Sequence, residues 1–499
     1  MNEEFVNNPT VSEQQAVRME KAQKLIEKGV QPFGKRFDVK NKICDIINEF
    51  KEVEKEELHE VEHRVVIAGR MMAKRDKGKI AFINVEDRDG IIQVYIKKDI
   101  IGEENFEIFK ISDIGDIIGI EGTVMKTNTG ELTIKCEKYN HLTKALRPLP
   151  EKYHGLTNIE ERYRRRYLDL IANKFAKDIA IARPRIIREM QKYFDERDFI
   201  EVETPVLSPI LGGAAARPFI THHNALDRDF YLRIATELNL KRLLVGGLER
   251  VYEIGRIFRN EGMDTKHSPE FTTVELYQAY GDLRSMMELM EGCIKTIAKN
   301  VFNKYEFEWN GHLIDLEKPF KVVTMVELIK QETGIDFDQI TDFEEARRLA
   351  EERHIEVLPH HTGVGHILNL FFEEYCEDKL IQPTFVCRYP VEMSPLTKLC
   401  DDDPRYVDRY ELFICGCEFA NAYSELNDPI DQKQRFVDQL KERKLGNDEA
   451  NDIDYDFLEA LEYGMPPAGG VGLGIDRLVM FFTGSSSIRD VILFPHMRD

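Results

Sequence analysis

Hydrophobic residues first recur at helical spacing. Between residues 12 and 29, Met19, Ala22 and Ile26 share one face, and Gly29 stands where such a helix would end. Residues 42–58 read as a second helix, heavily charged. From Arg64 the period drops to two. Short runs at 64–71, 80–85, 91–96, 116–124 and 132–139 predict strands, and Asp76-Lys-Gly78, Asp89-Gly90 and Asn128-Thr-Gly130 supply turns between most of them. Five strands within about eighty residues suit a small closed barrel of the OB-fold type, a scaffold that often binds single-stranded nucleic acid. Phe82 and Gln93 would lie on its central strands. Phe82 alternates with Ile80 and Asn84, which leaves open the side it faces.

Pro148-Leu-Pro150 punctuates the end of the barrel. A long helix over 174–197 then runs into an extended segment, 199–207, closed by Pro205. Residues 217–281 are strand-rich. Residues 324–379 are mostly helical, strands return at 384–389 and 410–417, and a helix covers 431–445. Strands joined as hairpins, rather than alternating with helices, argue against a doubly wound parallel sheet. The expected fold is α+β: an N-terminal five-stranded barrel, then a large domain on an antiparallel sheet flanked by helices. The expected boundaries are a helical extension at 1–62, the barrel at 63–147, a linker at 148–173 and the large domain at 174–499, with a helical insertion at about 324–380.

A chain of 499 residues has room for two or three such domains. Its formal charge of −21 argues against non-specific attachment of the whole molecule to nucleic acid or a membrane surface. One stretch departs from this: residues 144–192 hold 13 Lys and Arg against 6 Asp and Glu. It reads either as a solvated helical face or as a contact for a phosphate backbone. The 8 cysteines form no Cys-x-x-Cys pair and fit a reducing compartment. No apolar run is long enough for a membrane span, and the N-terminus is polar, unlike a signal peptide, so the expected location is the cytoplasm.

Two segments carry the chemistry. Residues 259–275 lie between strand-like runs at 252–258 and 271–280, so they form a long hairpin loop bearing Arg259, Glu261 and His267. About two hundred residues later, Gly470-Val-Gly-Leu-Gly474-Ile-Asp-Arg477 reads as a glycine-rich strand entering a helix. Two arginines on separate elements suit a polyphosphate held in a bent pose, and the reaction they suggest is activation of a carboxylic acid by ATP. Forming an acyl-adenylate needs no protein nucleophile, only positioned anions and neutralised charge. Arg259 would bridge the carboxylate and the α-phosphate, Arg477 would hold the terminal phosphate, and Phe271 offers a flat face for adenine. Glu411 and Glu418 are the candidate ligands of Mg2+. Seven residues apart on one extended segment they would face opposite ways, unless a bulge at Cys415-Gly416-Cys417 restores the register. The glycine spacing does not match a dinucleotide fingerprint.

These segments resemble the three motifs of class II aminoacyl-tRNA synthetases. Motif 1 corresponds to about 175–207, motif 2 to about 252–280 and motif 3 to about 468–483. With a preceding OB barrel, the resemblance is to the subgroup handling lysine, aspartate and asparagine. Within it the chain is similar to the lysyl-tRNA synthetase family over essentially its whole length. The runs that carry this are Leu211-Gly-Gly-Ala-Ala-Ala-Arg-Pro-Phe219, Thr221-His-His-Asn-Ala-Leu226, Glu237-Leu-Asn-Leu-Lys-Arg-Leu243 and Asn421-Ala-Tyr-Ser-Glu-Leu-Asn427. Asn239 departs from the pattern, standing where relatives often carry an aromatic or histidine.

The resemblance implies ligation of L-lysine to tRNA(Lys) at the expense of ATP, with Mg2+, in a homodimer formed through motif 1, and with neither DNA nor a membrane as partner. It implies that Glu237, with Gly213 nearby, holds the α-ammonium of lysine, and that Glu425 and Tyr277 hold the side-chain ammonium. Arg259 and Asn421 would orient the carboxylate, and Glu275 would stand behind them. Glu261, His267, Phe271, Glu411, Gly474, Arg259 and Arg477 would surround ATP, and Phe82, Gln93 and Glu131 would meet anticodon bases. Aspartate specificity would demand a cation in place of Glu425. A non-catalytic RNA-binding paralogue would lack the two arginines, and a transferase modifying protein lysines would lack the barrel.

Overall fold

The computed structural model describes residues 9–150, 156–444 and 453–498. They form two units, Met1–Thr157 and Asn158–Asp499. The predicted linker of 148–173 is therefore mostly not a linker. Residues 151–155 lie outside the described part, and helices Ile159–Arg164 and Arg166–Ala172 belong to the second unit. Arg166, almost fully buried, ties them in: it pairs with Asp169 at 2.5 Å and donates to the carbonyl of Leu493 at 2.9 Å.

The first unit is a closed five-stranded barrel of strands Arg64–Asp76, Ile80–Glu86, Ile91–Lys97, Ile117–Lys126 and Leu132–Thr143. Alternation sends Ala81, Ile83 and Val85 inward, together with Ile92, Val94 and Ile96 of the next strand. The N-terminal helices are part of this unit's core, not a separate extension. Leu25, Ile43, Ile46, Phe50 and Leu58 join the barrel's hydrophobic cluster.

Two predicted helices change. The first runs Pro9–Glu27 and buries Ala22 and Leu25, while Met19 and Ile26 stay exposed. Polar contacts set its rotation: Arg18 donates to the carbonyls of Ala145 and Ile114, and Lys21 pairs with Asp113. The second splits into Ile43–Phe50 and Lys55–Glu60. Beneath the first helix, the wholly buried Lys144 ammonium lies 2.7 Å from Asp113 and 2.8 Å from the equally buried Asp116.

The second unit rests on an eight-stranded sheet in the order Lys321–Thr324, Thr384–Pro390, Tyr406–Ile414, Cys417–Ser424, Ala468–Gly474, Glu270–Ala279, Arg250–Phe258, Ile200–Glu201. Its six central strands pair antiparallel and only the two outermost pairings are parallel. Helices Lys174–Asp195, Leu283–Ile297 and Ile475–Thr483 pack their apolar residues into one core with the sheet. The segment predicted as a strand over 199–207 pairs only at Ile200–Glu201, and Leu207–Ser208 joins a different sheet. Pro205 lies between them and offers no amide hydrogen to a ladder. The helical insertion is present as Met325–Thr333, Phe343–Glu352 and Val364–Tyr375 over its own hydrophobic cluster. The predicted helix at 431–445 runs Pro429–Lys444, and Leu445 lies outside the described residues.

Asp116→Ala would leave Lys144 buried with half its compensation and is expected to destabilise the barrel by roughly 3–5 kcal/mol. Urea unfolding followed by circular dichroism should show a transition at lower urea. The fluorescence of Trp309, the one tryptophan of the chain and a residue of the second unit, should report an unshifted one. An unchanged circular dichroism curve would contradict the assignment of this ion cluster.

Candidate active site

A cavity of about 610 Å³ lies against the central strands of the second unit. At one end, strand Arg250–Phe258 hands over to the predicted loop. The amide of Arg259 donates to the carbonyl of Pro269 at 2.9 Å and closes it. The register places Ile257 opposite Phe271, so Arg259 and Phe271 emerge together, with the guanidinium carbon 5.3 Å from the ring centroid. The Nε of Arg259 is buried without a hydrogen-bond partner among the described residues. A buried donor of this kind is costly unless something fills it. Glu261 and His267 line the same end. His267 Nδ1 lies 2.7 Å from Asp264, whose other carboxylate oxygen accepts the amides of Lys266 and His267.

Gly474 ends its strand and Arg477 follows in the first turn of the next helix, both on the cavity wall. Arg477 donates to the carbonyl of Glu418 at 2.5 Å and lies 3.5 Å from its carboxylate. Between them, Asp476 accepts from the amide of Thr272 at 2.6 Å and pairs with Arg183 of helix Lys174–Asp195 at 2.5 Å. One carboxylate thus joins three segments that are distant in sequence.

Glu411 and Glu418 both line the cavity, but not through a bulge in one strand. They sit on two antiparallel strands turned at Cys415-Gly416, where both residues have positive φ, 52° and 63°. The register irregularity falls instead between Leu412 and Phe413. The turn folds the two acids onto one site. Burial pushes Glu411 up to about 7, with Glu418 adding repulsion against the pull of Arg409. Arg409 lies 2.5 Å from Glu411 and Tyr389 donates to it at 2.9 Å. No group of three or more His, Cys, Asp or Glu is placed to hold a metal among the described residues.

The other end of the cavity is acidic, and its carboxylates are buried. Glu237 opens helix Glu237–Val245, and a side chain at Gly213 would press on it, so the two are neighbours. Glu275 accepts from the amide of Thr236 at 3.2 Å and from the Tyr277 hydroxyl at 3.3 Å. Burial, then the charge of Glu237, push Glu275 up to about 7. Glu425 is 1% exposed and does not itself line the cavity. It lies behind Gly470, where a Cβ would collide with its Oε1 and with the Tyr277 ring, so the bare glycine keeps the passage open. Among the described residues Glu425 Oε1 has no hydrogen-bond partner, and Oε2 meets only the Lys241 ammonium, at 2.5 Å. Burial pushes Glu425 up to about 8, against the pull of Lys241. Asn421 lines the cavity as expected, but its Oδ1 already accepts from Arg409 Nε at 3.1 Å.

Sequence reasoning missed several residues. Arg409 links Asn421 to Glu411 and lies over the rings of Tyr389 and Tyr423, at 4.4 and 5.7 Å. No spacing marks it. Lys241 lies 2.5 Å from both Glu237 and Glu425, and its place one helical turn after Glu237 was a readable signal. The insertion, to which no role could be given, contributes His360, His361 and His366 to the cavity wall. Burial, then the other two rings, push His361 down to about 4.

On the barrel, Phe82 faces outward and is half-buried against Tyr95 of the next strand, ring centroids 5.2 Å apart. Gln93 lies on that outer side but is mostly buried, accepting from the hydroxyl of Thr133 at 3.0 Å. Glu131 is exposed. Tyr95, two residues from Gln93, was the aromatic the sequence reading passed over.

A family model described as class II tRNA synthetases for D, K and N matches residues 158–498. One described as an OB-fold nucleic acid binding domain matches residues 65–142. Among curated relatives, the lysine–tRNA ligases of Streptococcus suis and Enterococcus faecalis are each 56% identical over 488 residues, covering 98% of this chain and 98% of theirs. That of Lactococcus lactis is 56% identical, covering 98% and 99%.

The raised acids set a pH dependence. A carboxyl raised in the folded chain contributes stability that is present in full below its unfolded value, about 4.3, and lost as pH climbs through the folded value. For Glu275 and Glu425 the window therefore closes between about 7 and about 8. The melting temperature of the ligand-free protein is expected to fall between about pH 5 and pH 8. Glu275→Gln should make that fall shallower. A fall equally steep in the variant would show that Glu275 does not titrate there.

Proposed function

The chain belongs to the class II tRNA synthetases for aspartate, lysine and asparagine, and from that premise we propose that it is a lysine–tRNA ligase. It condenses L-lysine with ATP to lysyl-adenylate and pyrophosphate, then transfers lysine to the 3′ end of tRNA(Lys). The observation that carries lysine, rather than a sister amino acid, is Glu425: a buried carboxylate with one oxygen unpartnered, behind the glycine floor of the cavity. A buried acid in that position accepts an ammonium group, and the carboxylate of an aspartate guest would be repelled from it.

The division of labour follows the charges. Arg259, with its unfilled Nε, takes the lysine carboxylate and the α-phosphate together, which brings nucleophile and phosphorus into contact. Phe271 receives adenine, and Arg477 takes the terminal phosphate. Glu261 and His267 approach the nucleotide from the loop. At the other end Glu237, with Gly213 giving room, takes the α-ammonium. Glu425 and Tyr277 take the side-chain ammonium, with Glu275 behind them. Asn421, held by Arg409, faces the carboxylate.

Glu411 and Glu418 fit Mg2+, because two facing carboxylates and phosphate oxygens make the all-oxygen set that this ion prefers. Bound there, it would neutralise charge on the phosphates. Both acids would need phosphate oxygens of the nucleotide to complete the set.

The barrel is the natural partner of the anticodon, with Phe82 as a stacking platform beside Gln93 and Glu131. A homodimer through the motif 1 region would cover Phe175, Ile200, Val206, Leu207 and Ile220, all exposed in the isolated chain. Cytoplasmic residence suits a tRNA substrate and eight free cysteines. No helix of the described residues is long and apolar enough to cross a membrane.

Amino-acid-dependent pyrophosphate exchange tests the central reading. Lysine alone is expected to support it, and exchange with aspartate in place of lysine would overturn the specificity. Glu425→Gln should weaken lysine use by about 2–5 kcal/mol while the KM for ATP moves little; unaltered lysine use would sink the ammonium assignment. Phe82→Ala should weaken tRNA binding by about 1–3 kcal/mol and leave tRNA-independent exchange intact. Loss of both activities would mean that Phe82 supports the fold instead.

A further inference from the structure

We propose that Lys241 is a positioning residue of the amino-acid site, a fixed counter-ion that holds Glu237 and Glu425 at the spacing the two guest ammonium groups require. The proposal deepens the reading of the cavity as a lysine site and rests on it.

Lys241 follows Glu237 by one turn of helix Glu237–Val245, so the two side chains share a face. Its ammonium lies 2.5 Å from Glu237 Oε1 and 2.5 Å from Glu425 Oε2, and its side chain is wholly buried. It is not a cavity-lining residue, so it reaches the two acids from behind. Glu237 and Glu425 come from segments nearly two hundred residues apart, and this ammonium is what joins them. Glu425 Oε1, the oxygen turned away from this pair, has no partner among the described residues and lies where a Cβ on Gly470 would collide with it.

The count of charges explains why an ammonium is built in. Three acids crowd this end: Glu237, Glu275 and Glu425. Lysine brings two ammonium groups, and its carboxylate goes to Arg259. With Lys241 the site has three cations for three carboxylates, so each acid can be ionised when the guest is in place. Without Lys241, Glu425, already raised to about 8 beside it, would hold its proton to still higher pH in this buried site before the guest arrives. A protonated Glu425 is a poor host for an ammonium.

Among the described residues the surroundings leave no substitute. Tyr277, whose ring centroid is 5.9 Å from the Lys241 nitrogen, and Tyr423 are the phenols near these acids, and burial pushes both up. The strand Ala468–Gly474 carries no charged side chain. Asp454 and Asp456, from the segment packed beside the helix, are taken by Arg242. Despite burial, which pulls it down, Glu237 and Glu425 hold the Lys241 ammonium above its ordinary range.

The test is lysine-dependent pyrophosphate exchange by the full-length chain and its Lys241→Met and Lys241→Ala variants. In Lys241→Met the KM for lysine is expected to rise roughly tenfold or more near pH 7. Its excess over the parent value should shrink as pH is raised from 7 towards 9, as the unshielded acids begin to ionise, while the KM for ATP stays within about twofold. In Lys241→Ala, added n-propylammonium should lower the lysine KM again and n-propanol should not, because only the former restores the charge. A Lys241→Met variant with the parent's lysine KM and pH profile would overturn the proposal. So would a loss affecting lysine and ATP alike that no cation repairs, since this describes a merely structural side chain. If the parent itself shows no lysine-dependent exchange, the lysine reading fails and this inference with it. If the parent exchanges and the variants match it, only this inference fails.

Discussion

The carboxylate of Asp476 holds together what the chain keeps far apart. One oxygen accepts the amide of Thr272, the residue after Phe271, and the other meets Arg183 on helix Lys174–Asp195. Its own neighbour in sequence is Arg477. Arg183 also donates to the hydroxyl of Thr272 at 3.1 Å, so the contact is a closed triangle and not a single bond. Asp476 is 2% exposed, which strengthens these charge-assisted bonds and makes any loss of them costly. Phe271, Arg259 and Arg477 are placed relative to one another through this knot, and without it this end of the cavity would have walls but no fixed geometry.

The sheet converts that fixed point into a site. Strand Ala468–Gly474 runs between the strands carrying Glu275 and Tyr277 on one side and Asn421 and Tyr423 on the other. It is nearly bare of side chains, so the substituents of its two neighbours converge over it, and the cavity exists because the central strand leaves it empty. Polarity then sorts the two ends. Arg259 and Arg477 lie at one end, and Glu237 and Glu275 at the other. The mixed middle is held by Arg409, which neutralises Glu411, bonds Asn421 and lies against two aromatic rings. Burying charges at this density is tolerable only when each has a partner. The unfilled positions, Arg259 Nε and Glu425 Oε1, are therefore the places where a ligand gains most.

Much of this was legible in the chain itself. Local periodicity decides the barrel strands, because alternation reports directly which side chains enter a small core, and five runs with intervening turns leave little choice of architecture. The two arginine-bearing segments were recognisable because phosphate chemistry demands particular residue types next to glycine and turn residues. What only the tertiary structure decided is everything that depends on pairing between distant segments. The Glu411 and Glu418 pair needed a hairpin turn rather than a bulge, and strand register is set by the partner strand, not by the segment alone. The rotation of the first helix was decided by Asp113 and by the carbonyls of Ile114 and Ala145, which no helical wheel contains. Lys241 and Arg409 gained their meaning only once folding had buried them among carboxylates. A lysine or arginine in a sequence has the same charge everywhere, and the cost of leaving it unpaired appears only when water is removed.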